Sequence, residues 1–212
     1  MALYDPGMAD GAILLVGGAS TRMGRPKADL DWHGTPLSAH MAALLANAVR
    51  GPVVAVAAPE QPDPALPPGV ELVRDAVAGD GPLRGLEAGL AALAGRAERA
   101  FAAAVDLPRL DPVLVRGLLG RLDDATAAAP FVGGHRQPLA AAYRVDAALT
   151  QARALLAGGE RGLQPLLDRL DAVELDADAL LALPGVAAAD PALRSLAGAN
   201  TPAEWEHLRA GS

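Results

Sequence analysis

The chain alternates short apolar runs with longer helical patterns, and this alternation constrains its fold more than any other feature. Strands are predicted at residues 12–16, 53–57, 71–73 and 101–105. Helices are predicted between them, at residues 36–49 and 82–93. A strand, a helix and a second strand in succession form the crossover unit that builds parallel sheets. The sequence therefore predicts an α/β fold with a mainly parallel sheet.

The rest of the chain fits the same scheme. Asp111 and Pro112 are predicted to open another helix, as its cap and its first turn. Further strands are predicted at residues 126–129 and 139–145, on either side of the turn GGHRQP, and at residues 173–175 in a mostly helical last third. The proline-rich residues 58–69 are predicted to form a surface loop. We expect a flexible tail over residues 1–10 and a single domain over residues 11–212.

Composition excludes several classes of function. The 212 residues carry a formal net charge of −7 and contain no block of basic residues, which argues against a general nucleic-acid-binding protein. The absence of cysteine excludes disulfides, thiolate metal sites and a cysteine nucleophile. With neither a signal peptide nor a spanning segment in the sequence, we expect a cytoplasmic protein with no membrane partner.

The residues that follow the first strand indicate a phosphate site. Two glycines, Gly17 and Gly18, are followed by three cations, Arg22, Arg25 and Lys27. Glycines let main-chain N–H groups approach a phosphate, and the cations neutralise it. Neither the P-loop pattern nor the dinucleotide-binding pattern is present. A tight turn with solvated cations remains the simpler alternative at this point.

Two aspartates follow other predicted strands. Asp75 comes after residues 71–73, and Asp106 comes after residues 101–105. Because ligands of open α/β folds bind outside the carboxyl ends of the strands, both are candidate site residues. A turn at Asp75 and an Asx-type cap at Asp106 are the alternatives.

Five segments carry a family resemblance. The stretch LLVGGASTRMGRPK resembles the signature loop L-A-G-G-x-S-x-R-M-G-x-x-K of the nucleotidyltransferases. The segments RDAVAGDGPLRGLEAGL, AVDLP, QPLAAAY and ANTPAEW then follow in the order typical of the molybdenum cofactor guanylyltransferases, the MobA-like members. The resemblance implies a three-layer, Rossmann-like nucleotide-diphospho-sugar transferase fold. It also implies transfer of GMP from GTP to the terminal phosphate of molybdopterin, with release of pyrophosphate.

The resemblance also implies roles for individual residues on the nucleotide side. Leu15, Gly17 and Gly18 would lie against the base and the phosphates, and Arg22 and Lys27 would hold the triphosphate. Asp75 and Gly81 would contact the nucleotide, with Asp80 as a competing candidate in the same loop and Gly85 beside the same helix start. Lys27, Arg22 and Asp106 would act in catalysis.

The metal and the acceptor are implied in the same way. Asp106 would bind Mg²⁺, aided by Asn200 or Asp75. Gln137 and Asn200 would face the acceptor, molybdopterin or its molybdenum-loaded form. Molybdoenzymes or other cofactor-biosynthesis proteins are the implied protein partners. An ordinary hairpin turn at Gln137 and a helix cap at Asn200 are the alternatives.

Three positions depart from the family pattern. Val16 stands where alanine is usual, Arg84 stands where a small residue is usual, and Gly198 stands where an asparagine often precedes N-T-P. Two other functions stay open on the sequence. One is a molybdopterin cytidylyltransferase or another small-molecule nucleotidyltransferase, and the other is a non-catalytic protein that carries the cofactor.

Overall fold

The computed structural model describes residues 10–17, 26–77, 79–199 and 201–210. Within them the strands are β1 (Asp10–Leu15), β2 (Asp31–Trp32), β3 (Thr35–Pro36), β4 (Val53–Ala57), β5 (Val70–Arg74), β6 (Arg99–Ala104), β7 (Ala127–Val132), β8 (His135–Arg136), β9 (Ala140–Arg144) and β10 (Ala172–Leu175). The helices are α1 (Leu37–Ala48), α2 (Pro82–Leu93), α3 (Pro112–Leu119), α4 (Val145–Ala157), α5 (Gln164–Arg169), α6 (Ala177–Leu181), α7 (Val186–Ala189) and α8 (Pro202–Ala210). No helix among these residues is both long and apolar enough to cross a membrane.

Eight of the strands form one mainly parallel sheet, as the sequence predicts. Its order is β10-β7-β9-β6-β1-β4-β5, with β8 paired to β7. Strand β9 runs antiparallel to both β6 and β7, whereas β6, β1, β4 and β5 are parallel to one another. The carboxyl ends of these four parallel strands therefore lie side by side, and we call this row the carboxyl edge.

Helices cover both faces of the sheet and give it three layers. Along β1, Ala12 and Leu14 face the core under α1 and α3, and Ile13 and Leu15 face the core under α2 and α4. All four side chains are buried because both faces of a parallel sheet are covered. The continuous apolar run of β1 follows from this position at the centre of the sheet.

A buried ion pair joins β1 and β6 at the end opposite the carboxyl edge. Asp10 and Arg99 are register partners, and the Nε of Arg99 lies 2.6 Å from the Oδ1 of Asp10. Both residues are buried. The prediction of a tail over residues 1–10 is therefore wrong at Asp10, which begins β1 because its charge is paired inside the fold. Residues 1–9 lie outside the described part of the chain.

The predicted elements differ from the observed ones mainly at their ends. Strand β4 and helix α2 have the predicted bounds, and Asp111 caps α3 by accepting a hydrogen bond from the N–H of Val113 at 2.7 Å. The hairpin of β2 and β3 was not predicted, since two-residue strands carry no periodic signal. Its turn places His33 and Gly34 at positive φ.

Helix α2 lies unusually close to β1 because of a glycine. A Cβ on Gly89 would lie 2.5 Å from the Cγ2 of Ile13, and one on Gly85 would lie 3.5 Å from the Cδ2 of Leu15. The contact at Gly89 is too short for a side chain, whereas the one at Gly85 is an ordinary van der Waals distance, so only Gly89 is required by helix–sheet packing.

Gly89→Ala should destabilise the protein, because its methyl group must displace the stiff, β-branched Ile13. We expect an overpacking cost of about 1–3 kcal/mol, partly offset by a gain of about 1 kcal/mol in helix propensity. Gly120→Ala is the control, since Gly120 is in the right-handed helical region and a Cβ there meets nothing within 4 Å. Urea unfolding that shows Gly89→Ala to be as stable as Gly120→Ala would contradict this packing account.

Candidate active site

The carboxyl edge places four chain segments in a row. Asp106 follows β6, Gly17 follows β1, Ala58 follows β4 and Asp75 follows β5. Main-chain hydrogen bonds continue past the strand ends and hold these segments together, for example from the N–H of Asp75 to the carbonyl of Ala57 at 3.0 Å. With strands about 4.8 Å apart, the row from Asp106 to Asp75 spans about 14 Å. An extended nucleotide can bridge such a distance.

Lys27 and Asp106 meet at one end of this row. The Nζ of Lys27 lies 2.6 Å from the Oδ2 of Asp106, and the two side chains are 17% and 22% exposed. Lys27 is the first residue of a one-turn 3₁₀ helix, Lys27–Asp29. Ala28, within this helix, and Leu30, directly after it, are buried. The sequence prediction that the cationic loop and the aspartate after β6 serve one site is therefore consistent with the geometry.

The turn that carries Asp106 is fixed from several sides. The N–H of Val105 donates to the carbonyl of Leu15 at 3.1 Å, which ties the turn to β1. The Nε2 of His40, on α1, lies 2.7 Å from the carbonyl oxygen of Pro108. Gly198 lies against Asp106, since a Cβ there would be 3.2 Å from the carbonyl oxygen of Asp106. Gly198, which departs from the family pattern, thus lies against the candidate metal ligand with no side chain between them.

Lys27 carries a further signal in the sequence. It is the only lysine among the 18 lysine and arginine residues of the chain. Arginine presents a planar fork of donors, whereas lysine is a compact point charge. Because the other 17 residues of this set are arginine, the lysine at position 27 indicates that the compact ammonium group matters there.

Asp75 stands at the other end of the row. Its Oδ1 accepts a hydrogen bond from the N–H of Val77 at 3.2 Å. Burial raises the pKa of Asp75, and the hydrogen bond from Val77 and the positive charge of Arg84 partly offset this effect. Asp75 therefore forms a turn, as the simpler reading had it, and also keeps a partly desolvated carboxylate at the carboxyl edge.

The glycines at 17 and 81 have structural explanations. A Cβ on Gly17 would lie 2.9 Å from the main-chain nitrogen of Ala58. Gly81 caps α2 with φ of +83°, and a Cβ there would lie 2.8 Å from the carbonyl oxygen of Arg161. That same oxygen accepts a hydrogen bond from the N–H of Leu83, in the first turn of α2. Contacts of Leu15, Gly17 and Gly81 with a nucleotide stay predictions.

Gln137 lies beside the carboxyl end of β6, on the side away from β1. Leu139, two residues further on, accepts a main-chain hydrogen bond from Ala104 at 2.9 Å, and the buried hydroxyl of Tyr143 donates to the carbonyl of Pro138 at 2.7 Å. This bond explains the tyrosine of the QPLAAAY segment, which fixes the turn before β9. The Nε2 of Gln137 lies 3.0 Å from the Nε2 of His135.

Three predicted site residues cannot be compared with the structure. Gly18, Arg22 and Asn200 lie outside the described residues. Among the residues that are described, no group of three or more His, Asp or Glu side chains converges as a metal site.

Comparison with known proteins decides the family. The model of the MobA-like NTP transferase domain matches residues 12–173. The chain belongs to this family. A probable molybdenum cofactor guanylyltransferase of Mycobacterium bovis (strain BCG / Pasteur 1173P2) is 40% identical over 168 residues, which cover 77% of this chain and 81% of the relative. A protein of the same name from Mycobacterium avium (strain 104) is 38% identical over 173 residues, covering 77% and 83%.

A solved structure shares the fold. The molybdopterin-guanine dinucleotide biosynthesis protein A of Archaeoglobus fulgidus superposes with a TM-score of 0.74 at 21% identity, covering 94% of this chain and 97% of that one. This likeness confirms the predicted α/β fold, and the family match with the 40% identical relative confirms the enzyme class. This MobA-like chain is a nucleotidyltransferase, and Gly17, Lys27 and Asp106 lie at its carboxyl edge.

The Gly17 contact generates a prediction about nucleotide choice. Gly17→Ala should lower the melting temperature and reduce turnover with GTP and CTP to the same extent, because the new methyl group meets the main chain of Ala58. The measurements are thermal unfolding and the ratio of kcat/KM for the two nucleotides. An unchanged melting temperature with a selective loss of GTP turnover would show instead that the methyl group meets the base.

Proposed function

We propose that this nucleotidyltransferase transfers GMP from GTP to the terminal phosphate of molybdopterin, metallated or not, with Mg²⁺ bound at Asp106. The contact between Lys27 and Asp106 carries the proposal, because it puts a cation and a metal-binding carboxylate at one point of the carboxyl edge. Membership of the family and the names of the relatives support the choice of substrates. The reaction would take place in the cytoplasm, and its product would pass to molybdoenzymes or other cofactor-biosynthesis proteins.

The chemistry needs no residue to act as a nucleophile. An oxygen of the acceptor phosphate attacks the α-phosphorus of GTP, the bond from that phosphorus to the bridging oxygen breaks, and pyrophosphate leaves. Both reactants are polyanions, so the work of the protein is to hold them in line against their repulsion. Lys27 would neutralise the phosphate under attack, and Arg22 with the main chain at Gly17 and Gly18 would hold the rest of the triphosphate.

Asp106 fits a magnesium ion by its chemistry. Mg²⁺ prefers hard oxygen ligands and keeps several waters, so that one or two carboxylates and the substrate phosphates complete its coordination. Asp106 offers one such carboxylate, partly exposed at the carboxyl edge. When bound, the ion would neutralise charge on the phosphates. On the acceptor side, Gln137 and Asn200 would hydrogen-bond the pterin.

Lys27 and a metal ion would compete for Asp106. Lys27 contacts the Oδ2 oxygen, and a metal ion held by the same carboxylate would be repelled by the ammonium group. Metal binding at Asp106 would therefore favour release of Lys27, and a nucleotide phosphate would give Lys27 another partner. The contact would thus couple metal binding to nucleotide binding.

Lys27→Met should have opposite effects on metal binding and on turnover. Without nucleotide, the affinity of the protein for Mn²⁺ should rise about fivefold, since removing an ion pair worth about 1 kcal/mol unblocks the carboxylate. The kcat should fall about 10- to 1,000-fold, because the donor to the reacting phosphate is gone. Electron paramagnetic resonance of Mn²⁺ and a pyrophosphate-release assay measure the two effects.

Asp106→Asn is the matched control for Lys27→Met. It should abolish Mn²⁺ binding and reduce activity by about two orders of magnitude, in a protein that still folds. An unchanged Mn²⁺ affinity in Lys27→Met would show that lysine and metal do not share the oxygen. Full activity of Asp106→Asn would remove the metal from this position.

Lys27 can also be observed directly because the chain has no other lysine. Reductive methylation with ¹³C-formaldehyde gives a single lysine signal in the NMR spectrum, distinct from that of the amino terminus. Addition of GTP should shift this signal, whereas addition of guanosine alone should leave it in place.

Asp75 is the residue we propose to select the base. The Watson–Crick edge of guanine presents two adjacent donors, N1–H and the 2-amino group, which a carboxylate can accept together. Cytosine presents an acceptor, N3, beside its amino group and would repel that carboxylate. Asp75, at the opposite end of the row from Asp106, would therefore favour GTP over CTP.

Asp75→Asn should weaken this preference without harming the fold. The pKa of Asp75 is raised, so its ionised form costs stability as the pH rises through that pKa, and the neutral amide should keep or slightly raise the melting temperature at pH 7. The kcat/KM ratio of GTP to CTP should fall about tenfold or more. A wild-type protein that uses CTP as well as GTP would favour a cytidylyltransferase, and one that binds nucleotide without releasing pyrophosphate would favour a carrier protein.

A further inference from the structure

The described residues of the loop that carries Asp75 bury little apolar surface. The loop runs from the end of β5 to the start of α2, and Gly79 and Gly81 both take positive φ, at +73° and +83°. Val77, in the middle of the loop, is 47% exposed, which is high for a large apolar side chain. Apolar burial therefore contributes little to the position of this loop, and polar contacts have to fix it.

Asp80 makes two ion pairs from this loop. Its Oδ2 accepts from Arg84, with the Nε at 3.0 Å and a terminal guanidinium nitrogen at 2.9 Å. Its Oδ1 accepts from the Nε of Arg161. The Asp80 side chain is 15% exposed, so water screens these pairs less than it screens pairs on the open surface. Burial of Asp80 raises its pKa. The hydrogen bonds from both arginines lower that pKa by more, so that it lies below its usual value.

The two arginines tie the loop to different parts of the fold. Arg84 lies in the first turn of α2, whereas Arg161 lies between α4 and α5. The main chain of Arg161 makes two more contacts with the same helix start, by accepting from the N–H of Leu83 at 3.3 Å and by closing over Gly81. Asp80 therefore joins the loop, α2 and the connection from α4 to α5 at one point.

The cluster also acts on Asp75. The positive charge of Arg84 lowers the pKa of Asp75 and the negative charge of Asp80 raises it, so both groups are close enough for their charges to matter there. Arg84 is the residue that departs from the family pattern, where a small side chain is usual. The arginine at this position has a partner in Asp80.

We propose that Asp80 is a positioning residue for nucleotide binding, which holds Arg84 and Arg161 together and thereby fixes Asp75 at the carboxyl edge. The inference rests on the proposed function, in which Asp75 contacts the base. Asp80 itself would touch neither the nucleotide nor the metal.

The sign of one effect separates positioning from simple charge. Asp80→Asn makes the site more positive by one charge. If the arginines attract the triphosphate only through their charge, this variant binds nucleotide more tightly than wild type. If Asp80 positions the loop, the variant binds it more weakly, because the two guanidinium groups lose their shared partner and repel each other.

The test compares Asp80→Asn with Glu87→Gln. Glu87 lies on the same helix and makes a comparable link, with its Oε1 2.9 Å from the Nε of Arg153 on α4. Glu87→Gln changes the net charge by the same amount but away from the loop. We measure the Kd for a GTP analogue that cannot be cleaved between the α- and β-phosphates, together with KM and kcat for GTP and for ITP, which lacks the 2-amino group.

We expect the Kd and KM of Asp80→Asn for GTP to rise about tenfold, with kcat within about twofold of wild type. The preference for GTP over ITP should shrink in the same variant, since Asp75 no longer meets the base. Glu87→Gln should match wild type in all of these quantities. Asp80→Glu, which keeps the charge but moves it by one methylene group, should raise the Kd by a smaller factor and tests the proposal if Asp80→Asn does not fold.

Two failures can be told apart. If wild-type protein neither binds GTP nor releases pyrophosphate in the presence of molybdopterin, the proposed function fails. If wild type is active and Asp80→Asn binds GTP as tightly as Glu87→Gln or more tightly, with an unchanged preference over ITP, the role of Asp80 is overturned.

Discussion

The parallel alignment of β6, β1, β4 and β5 is the constraint on which the candidate site depends. Parallel strands end at the same edge, and main-chain hydrogen bonds extend this alignment to the residues just past the strand ends. Residues far apart in sequence, such as Gly17, Asp75 and Asp106, therefore reach one row. The helices cover both faces of the sheet, so that the connecting loops surround this row.

Within that row, the contact between Lys27 and Asp106 has one effect on stability and a second, proposed effect on metal binding. It stabilises the ligand-free fold by neutralising a carboxylate and an ammonium group that are both partly buried. In the proposed function, it would also keep the carboxylate from a metal until the lysine has another anion to bind. The same two residues would therefore order the assembly of the site and then stabilise the reacting phosphates.

The sequence predicted the elements that have strong local signals. The apolar run of β4 and the proline start of α2 have the observed bounds, because a buried strand and a capped helix are encoded by neighbouring residues. The contact of Lys27 with Asp106, 79 residues apart, was predictable only through the family resemblance. The pairing of Asp80 with Arg161 left no local trace at all, since it depends on how α4 packs on α2.

The glycines show most clearly why the rest could not be predicted. Gly17 and Gly81 invited a reading as room for phosphate, yet both are required by nearby main chain, at Ala58 and Arg161. A glycine in a sequence can indicate a close contact, but only the three-dimensional structure shows which group makes that contact. Arg84 was likewise noted as a departure, and its partner became visible only in three dimensions.

The buried pair of Asp10 with Arg99 has a consequence at the far end of the sheet. A shift of β1 by one residue against β6 would separate the two charges and leave Asp10 buried without its partner, at a cost of about 3–5 kcal/mol, whereas Arg99 would keep Asp123 at 3.7 Å. It would also turn Leu15 to the opposite layer. The pair therefore fixes the register of β1 against β6 at one end of the sheet. It thereby sets the relative positions of Gly17 and Asp106, which follow these two strands at the other end.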